Sequence, residues 1–209
     1  YDVVIVGDDA ALQFAMEYRE ELFPEIPVVF EGVNDEEYAM KAAENPLVTG
    51  IIEKLSVEKN IDMALKVNPT ADKVVAILDD SVTADAERKN FYNSAENYPE
   101  LEFSEINAAE LETARLQQAI SKVDDKTILI YIVMSKDGSG KQYTSDQAVR
   151  MVVTYSKVPV YRMVEDGIGD GLLGGNVVSM YKSGEIAAQM AMDLSLIHIS
   201  EPTRHAQIS

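Results

Sequence analysis

The sequence contains no cysteine and no tryptophan, and its two histidines, His198 and His205, both lie close to the C-terminal end. Without cysteine there is no disulfide, no thiol nucleophile and no thiolate zinc site. Cations are scarce, with 18 Lys and Arg against 36 Asp and Glu and a formal net charge of −18. Nucleic acids and anionic membranes are met by clustered Lys and Arg, so neither is expected as a partner. No apolar run reaches the roughly 18 residues that suggest a membrane-crossing helix. Tyr1 leads straight into an apolar run without an initiator Met or a leader, which reads as a chain cut from something longer. What is present is 209 residues, 46% of them hydrophobic, enough for one sizeable core or two small lobes.

The stretch 127–163 organises the rest. Residues 127–134, Thr-Ile-Leu-Ile-Tyr-Ile-Val-Met, form an unbroken apolar, β-branched run. It is too short for a typical helix and suits a strand buried on both faces, the kind found in helix-covered parallel sheets. A polar loop follows, then a helix over 145–156 with Ser145 as its N-cap and Ala148, Met151, Val152 and Tyr155 on one side. Val158-Pro-Val-Tyr closes a βαβ unit. Other buried strands are expected at 3–6, 28–30 and 74–78, with an alternating edge strand at 101–106 and a short last strand at 176–180. Helices are expected at 10–22, 56–67 (capped by Ser56), 84–98, from Asn107 or Ala108 to 123, and from Ser183 or Gly184 to 193. The passage 33–49 is read as irregular or briefly helical.

Residues 194–204, Leu-Ser-Leu-Ile-His-Ile-Ser-Glu-Pro-Thr-Arg, resemble the conceptual translation of a sequencing-library adapter. The tail 194–209 is therefore set aside as artefactual, expected to pack on nothing. The chain that remains has neither His nor Cys.

Three passages resemble a known family. They are Tyr1-Asp-Val-Val-Ile-Val-Gly-Asp-Asp-Ala-Ala with Phe23-Pro and Pro27-Val-Val-Phe-Glu-Gly-Val; Thr49-Gly-Ile-Ile-Glu through to Val67-Asn-Pro; and Ser156-Lys-Val-Pro-Val-Tyr with Gly169-Asp-Gly-Leu-Leu-Gly-Gly and Gly184-Glu-Ile-Ala-Ala. They resemble the substrate-binding proteins of ABC transporters and the related sensor ectodomains of bacterial receptors. The resemblance implies an α/β fold of the type I periplasmic-binding-protein kind, two Rossmann-like lobes with parallel sheets that close on a ligand in the cleft between them. It implies that 1–50 end a lobe one truncated at its N-terminus, that 51–165 form lobe two, and that 166–193 return to lobe one as hinge and final helix. It further implies an extracytoplasmic, membrane-anchored protein. The partners would be a small-molecule ligand and an ABC permease, or a covalently linked histidine kinase or diguanylate cyclase module. Ala84 departs from the glycine that relatives carry after Thr83.

Parallel strands place their carboxyl ends at one edge, where open α/β sheets bind ligands. The candidate ligand-binding residues follow the buried strands: Asp8 and Asp9, Glu31, Asp80 with Ser81 and Thr83, Ser135 with Asp137 and Ser139, and Glu165 with Asp166. Tyr143 or Tyr161 would stack on the ligand. Helix N-termini at such an edge favour anions and carboxylates favour an amino group, so an amino acid or other amine-bearing solute suits both. Each aspartate also has a plain reading as a helix N-cap, and Asp8 or Asp9 serves the first helix in that way.

Two motifs mislead. Gly169-Asp-Gly-Leu-Leu-Gly174 matches the dinucleotide fingerprint, but that motif must lead into a helix and the sequence after it reads as extended. Gly138-Ser-Gly-Lys lacks the Gly and Ser or Thr of a phosphate-binding loop, since positions 135 and 142 hold Ser and Gln. Asp8-Asp9 and Asp79-Asp80 leave one alternative, a receiver-like or enzymatic α/β domain using Mg²⁺ with Lys136 as its cation. With no His or Cys for nucleophile and base, no catalytic residue, cofactor or metal site is assigned, and the chain is read as a binder rather than an enzyme.

Overall fold

The computed structural model describes the backbone of residues 1–205 and the side chains of residues 1–195. Within that span the chain divides into two compact units, Tyr1–Lys54 with the segment from Ser179 on, and Leu55–Val178.

The first unit is a three-stranded parallel sheet in the order β1 (Val4–Gly7), β2 (Val28–Val33), β3 (Val48–Ile52). Helices α1 (Asp9–Glu17) and α3 (Glu36–Ala42) cover one face, with Leu12, Ala15, Ala39 and Ala42 against Val28, Phe30 and Val48. The long helix α8 (Met180–His205) covers the other, with Ala187 and Ala191 against Val29. β2 is thus packed on both sides, which is why Val-Val-Phe runs without alternation. α3 is the short helix of the passage 33–49, and β3, which begins at the end of that passage, was not expected as a strand. Its register pairs Gly50 with Phe30, and a Cβ on Gly50 would fall 2.1 Å from the Phe30 carbonyl oxygen. The glycine that hides the strand in the sequence is what lets it approach β2.

The second unit is a four-stranded parallel sheet in the order β5 (Glu102–Asn107), β4 (Lys73–Leu78), β6 (Thr127–Tyr131), β7 (Val160–Arg162). On one face α4 (Val57–Val67) and α5 (Val82–Ser94) bring Ile61, Ala64 and Phe91 against Ala76, Leu78, Ile128 and Ile130. On the other, α6 (Thr113–Ser121) and α7 (Ser145–Tyr155) bring Leu116, Ile120, Val149 and Val152 against Ile77, Leu129 and Tyr131. Every residue of β6 is buried. Each of its large apolar side chains contributes about 1.5–3 kcal/mol by leaving water, so β6 anchors the unit. Together the two sheets make an α/β chain of parallel strands, as the sequence implied.

Several boundaries differ from the expectation. The first helix breaks at Tyr18 and resumes as α2 (Arg19–Leu22). The break turns Arg19 inward, where its guanidinium donates to the Ile26 carbonyl at 2.8 Å. Ser56 makes no side-chain cap; its carbonyl instead accepts from Asn60 Nδ2. Thr144, not Ser145, caps α7, in a reciprocal capping box with Gln147. The helix expected from Asn107 or Ala108 starts only at Thr113, because Asn107 caps a separate 3₁₀ turn, Ala108–Glu110. Residues 176–180 form no named strand, only an isolated bridge between Val164 and Val178. Ala84 sits fully buried in the first turn of α5, its N–H given to Ser81 Oγ, so no glycine is required there. α8 runs on through the segment set aside as adapter-like, and Leu194 packs beside Ala191. The expectation that the tail packs on nothing lies, from residue 196 on, outside the described side chains.

Candidate functional site

In the second unit the chain passes from β4 outward to β5, then back across to β6, so the sheet reverses direction between β4 and β6. Ligands of open α/β sheets bind outside the carboxyl ends of the strands at such a point. The residues there are Asp79, Asp80, Ser81 and Ser135. Asp79 is fully buried. Its Oδ2 accepts from Ser135 N–H and Oγ–H at 2.7 and 2.5 Å, and its Oδ1 from Ser81 N–H at 3.0 Å. Burial pushes the Asp79 carboxyl up, but the donors of Ser135 and Ser81 outweigh it and hold the group below the usual carboxylate range. Asp79 therefore clamps the two strand ends together and leaves Asp80 to face outward. Asp80 is exposed, with Asn107 Nδ2 donating to it at 2.8 Å and the Arg88 guanidinium 3.6 Å away. Ser81 caps α5, and Thr83 is half-buried in that helix's first turn.

Asp137 looks like a ligand contact in the sequence, but the structure turns it inward. It is 2% exposed. Its Oδ1 accepts from Ser139 N–H, Ser139 Oγ–H and Lys141 N–H at 3.0, 2.6 and 3.1 Å. Its Oδ2 accepts from Thr113 Oγ and Tyr143 Oη at 2.5 and 2.8 Å. Burial raises its pKa, but the hydrogen bonds from Ser139, Thr113 and Tyr143 dominate and hold the carboxyl well below the ordinary range. Ser139 and Tyr143 are spent in the same knot. Gly138 completes it: a Cβ there would lie 2.7 Å from the Leu111 backbone nitrogen. The loop after β6 is thus fixed internally, and Ser135 and Lys136 are its exposed residues nearest β6.

At the end of β7, Arg162 donates to the carbonyls of Tyr131 and Ile132, stacks on the Tyr131 ring and reaches Asp166. Asp166 also accepts from Ser145 Oγ. Glu165 is exposed beside them. Tyr161, the alternative stacking ring, is core. The glycine-rich stretch after it is a strap: Gly167 and Gly171, both at positive φ, lie flat against Val149 and Val153 of α7. At its far end Asn60, buried on α4, accepts from the Asn176 N–H and donates to its carbonyl. Close packing explains Gly167 and Gly171, and positive φ explains Gly169, without a nucleotide.

The first unit carries its own carboxyl edge. Asp8 follows β1 at φ 79° and ψ 158°, a region essentially reserved for glycine. Its N–H donates to the Glu31 carbonyl, and its carboxylate accepts from Asp9 N–H at 2.6 Å as the N-cap of α1. Asp8 is exposed, while Asp9 is 1% exposed and accepts from the N–H groups of Asn34 and Asp35. Glu31 is half-buried at the end region of β2, and Gly7 lacks the Cβ that would collide with its Oε1 at 2.8 Å.

The sequence-selected residues thus fall on two sheet edges. One holds Asp8, Asp9 and Glu31; the other holds Asp80, Ser81, Thr83 and Ser135, with Glu165 and Asp166 at β7. Sequence reasoning missed Arg88, Asn107, Arg162 and Asn60. Of these only Arg162 left a visible signal, as the lone cation in an apolar run. Among the described residues no group of three or more His, Cys, Asp or Glu is arranged to hold a metal ion. One Asp of each pair, Asp9 and Asp79, is committed to backbone donors.

Compared with known families, residues 1–195 match the family described as ABC transporter substrate binding protein. The match ends one residue beyond Leu194, where the adapter-like stretch begins. No curated protein matches the chain.

Proposed function

The chain belongs to the ABC transporter substrate binding protein family, and from that premise we propose that it binds a small, amine-bearing polar solute outside the cytoplasm and delivers it to an ABC permease. The observation that carries the ligand class is the set of exposed carboxylates at the strand ends, Asp8 in the first unit and Asp80 and Glu165 in the second, with the half-buried Glu31 also in the first. An ammonium group is the natural complement of such carboxylates. The N-terminus of α5 suits the carboxylate of an amino acid, while Ser81 and Ser135, whose donors go to Asp79, hold the strand ends in place. Asp9, Asp79 and Asp137 act one step back, since their oxygens are taken by the loops they hold. The protein binds and releases without turnover.

A thermal-shift screen of amino acids, polyamines and short peptides against sugars and nucleotides tests this. At a hundredfold excess over Kd, a ligand of the native state stabilises by about 2.7 kcal/mol, a rise of roughly 5 to 10 °C for a chain of this size. Amines should give the rise and Asp80→Asn should cut it to about a third. A rise with sugars or nucleotides alone would overturn the ligand class, and measurable consumption of a ligand would overturn the binding role.

A further inference from the structure

The second unit also holds a groove of about 370 Å³ between α6 and α7, within the size range of small-ligand pockets. In a chain with twice as many acids as bases, its lining includes Lys141 and Arg150 and no carboxylate. Tyr143, Met151 and Tyr155 supply an apolar surface, and Gln117 a neutral amide. The Tyr143 ring is held rigidly, because its hydroxyl is shared between Thr113 and Asp137. The Lys141 ammonium lies 4.7 Å from that ring's centroid. No salt-bridging carboxylate is found for Lys141 among the described residues. Arg150 meets Asp146 one turn back on α7 at 3.6 Å, an exposed pair that leaves most of its five donors for another acceptor.

We propose that this groove is a second binding site, for a small aromatic carboxylate. The ring packs on Met151 between Tyr143 and Tyr155, and the carboxylate meets Lys141 and Arg150. The charge preference is opposite to that of the strand-end carboxylates, so the two sites sort ligands by sign.

The test uses the full chain with methyl-labelled methionine, the Met151 signal being assigned by Met151→Leu. The probe is 4-hydroxyphenylacetate, with its neutral amide and the cationic tyramine as controls. The expected result is a saturable Met151 shift with the carboxylate, at least about tenfold weaker affinity for the amide, and no saturation with tyramine. Lys141→Gln with Arg150→Gln should abolish the preference for the carboxylate over the amide, and Tyr155→Ser, which removes an exposed ring, should weaken both ligands. The proposal is overturned by no saturation near about 10 mM, by equal affinity for carboxylate and amide, or by a double variant that binds like the parent.

Discussion

Asp8 occupies a backbone conformation that costs an ordinary residue about 1–3 kcal/mol, and it does so at a strand end, exposed and with its carboxylate capping α1. Glycine at this position would relieve the strain and lose only a few tenths of a kcal/mol as a cap. Asp8→Gly is therefore expected to raise the unfolding free energy by about 1 kcal/mol while weakening solute binding; chemical denaturation and titration of the same variant separate the two. A variant that loses stability would show that the carboxylate is there for the fold. Asp79 and Asp137 present the opposite case, since their carboxylates are saturated by hydrogen bonds and their pKa values lie below the unfolded value. Between the folded and unfolded pKa the unfolded chain binds more protons, so the stability these groups give is full above about pH 4. It is lost as the pH falls further. Asp137→Asn should flatten this acid limb of the melting-temperature profile and cost about 1–3 kcal/mol at pH 7, from donors left poorly matched. An acid limb identical to that of the parent would refute the assignment. The sequence marked Asp137 as a ligand contact because an aspartate after a buried strand reads the same whether it faces out or in. Its donors are Ser139, Lys141 and Tyr143 from its own loop and Thr113 from 24 positions away, and a loop of polar residues reads the same in sequence whether it closes on the carboxylate or leaves it outside.

Strands and helices were legible where one period dominated. β6 and β4 were readable because continuous β-branched runs have few alternatives, and α4 because its apolar side repeats at helical spacing. β3 was not, since Gly50 lowers strand propensity and its reason for being there is the Phe30 backbone. The split of the first helix was equally hidden, because it depends on Arg19 finding the Ile26 carbonyl. The strap after β7 gives an element-scale prediction. Asn60 holds its far end with bonds to both backbone groups of Asn176, and a Cβ on Gly175 would fall 2.1 Å from Asn60 Oδ1. Asn60→Ala should cost about 1–3 kcal/mol through backbone groups left without partners, and limited proteolysis should then cut within 166–178 well before the rest of the unit. Gly175→Ala should do the same by displacing Asn60 directly. Cleavage rates unchanged in both variants would show that the strap is fastened elsewhere.

For the molecule as a whole, the parallel α/β architecture and the family were both legible from the sequence, because they rest on buried runs and on passages spread along most of the chain. The ligand is a matter of charge at the strand ends, and that is open to a direct measurement. Once the amine screen yields a ligand, its affinity and that of its deaminated analogue should be measured calorimetrically on the parent chain and on Asp80→Asn. If an ammonium–carboxylate contact holds the solute, removing the amino group should cost the parent about 2 to 5 kcal/mol, thirtyfold or more. Removing it from Asp80→Asn should cost far less, because two changes to one contact are not additive. Equal losses on both proteins would contradict the proposed contact.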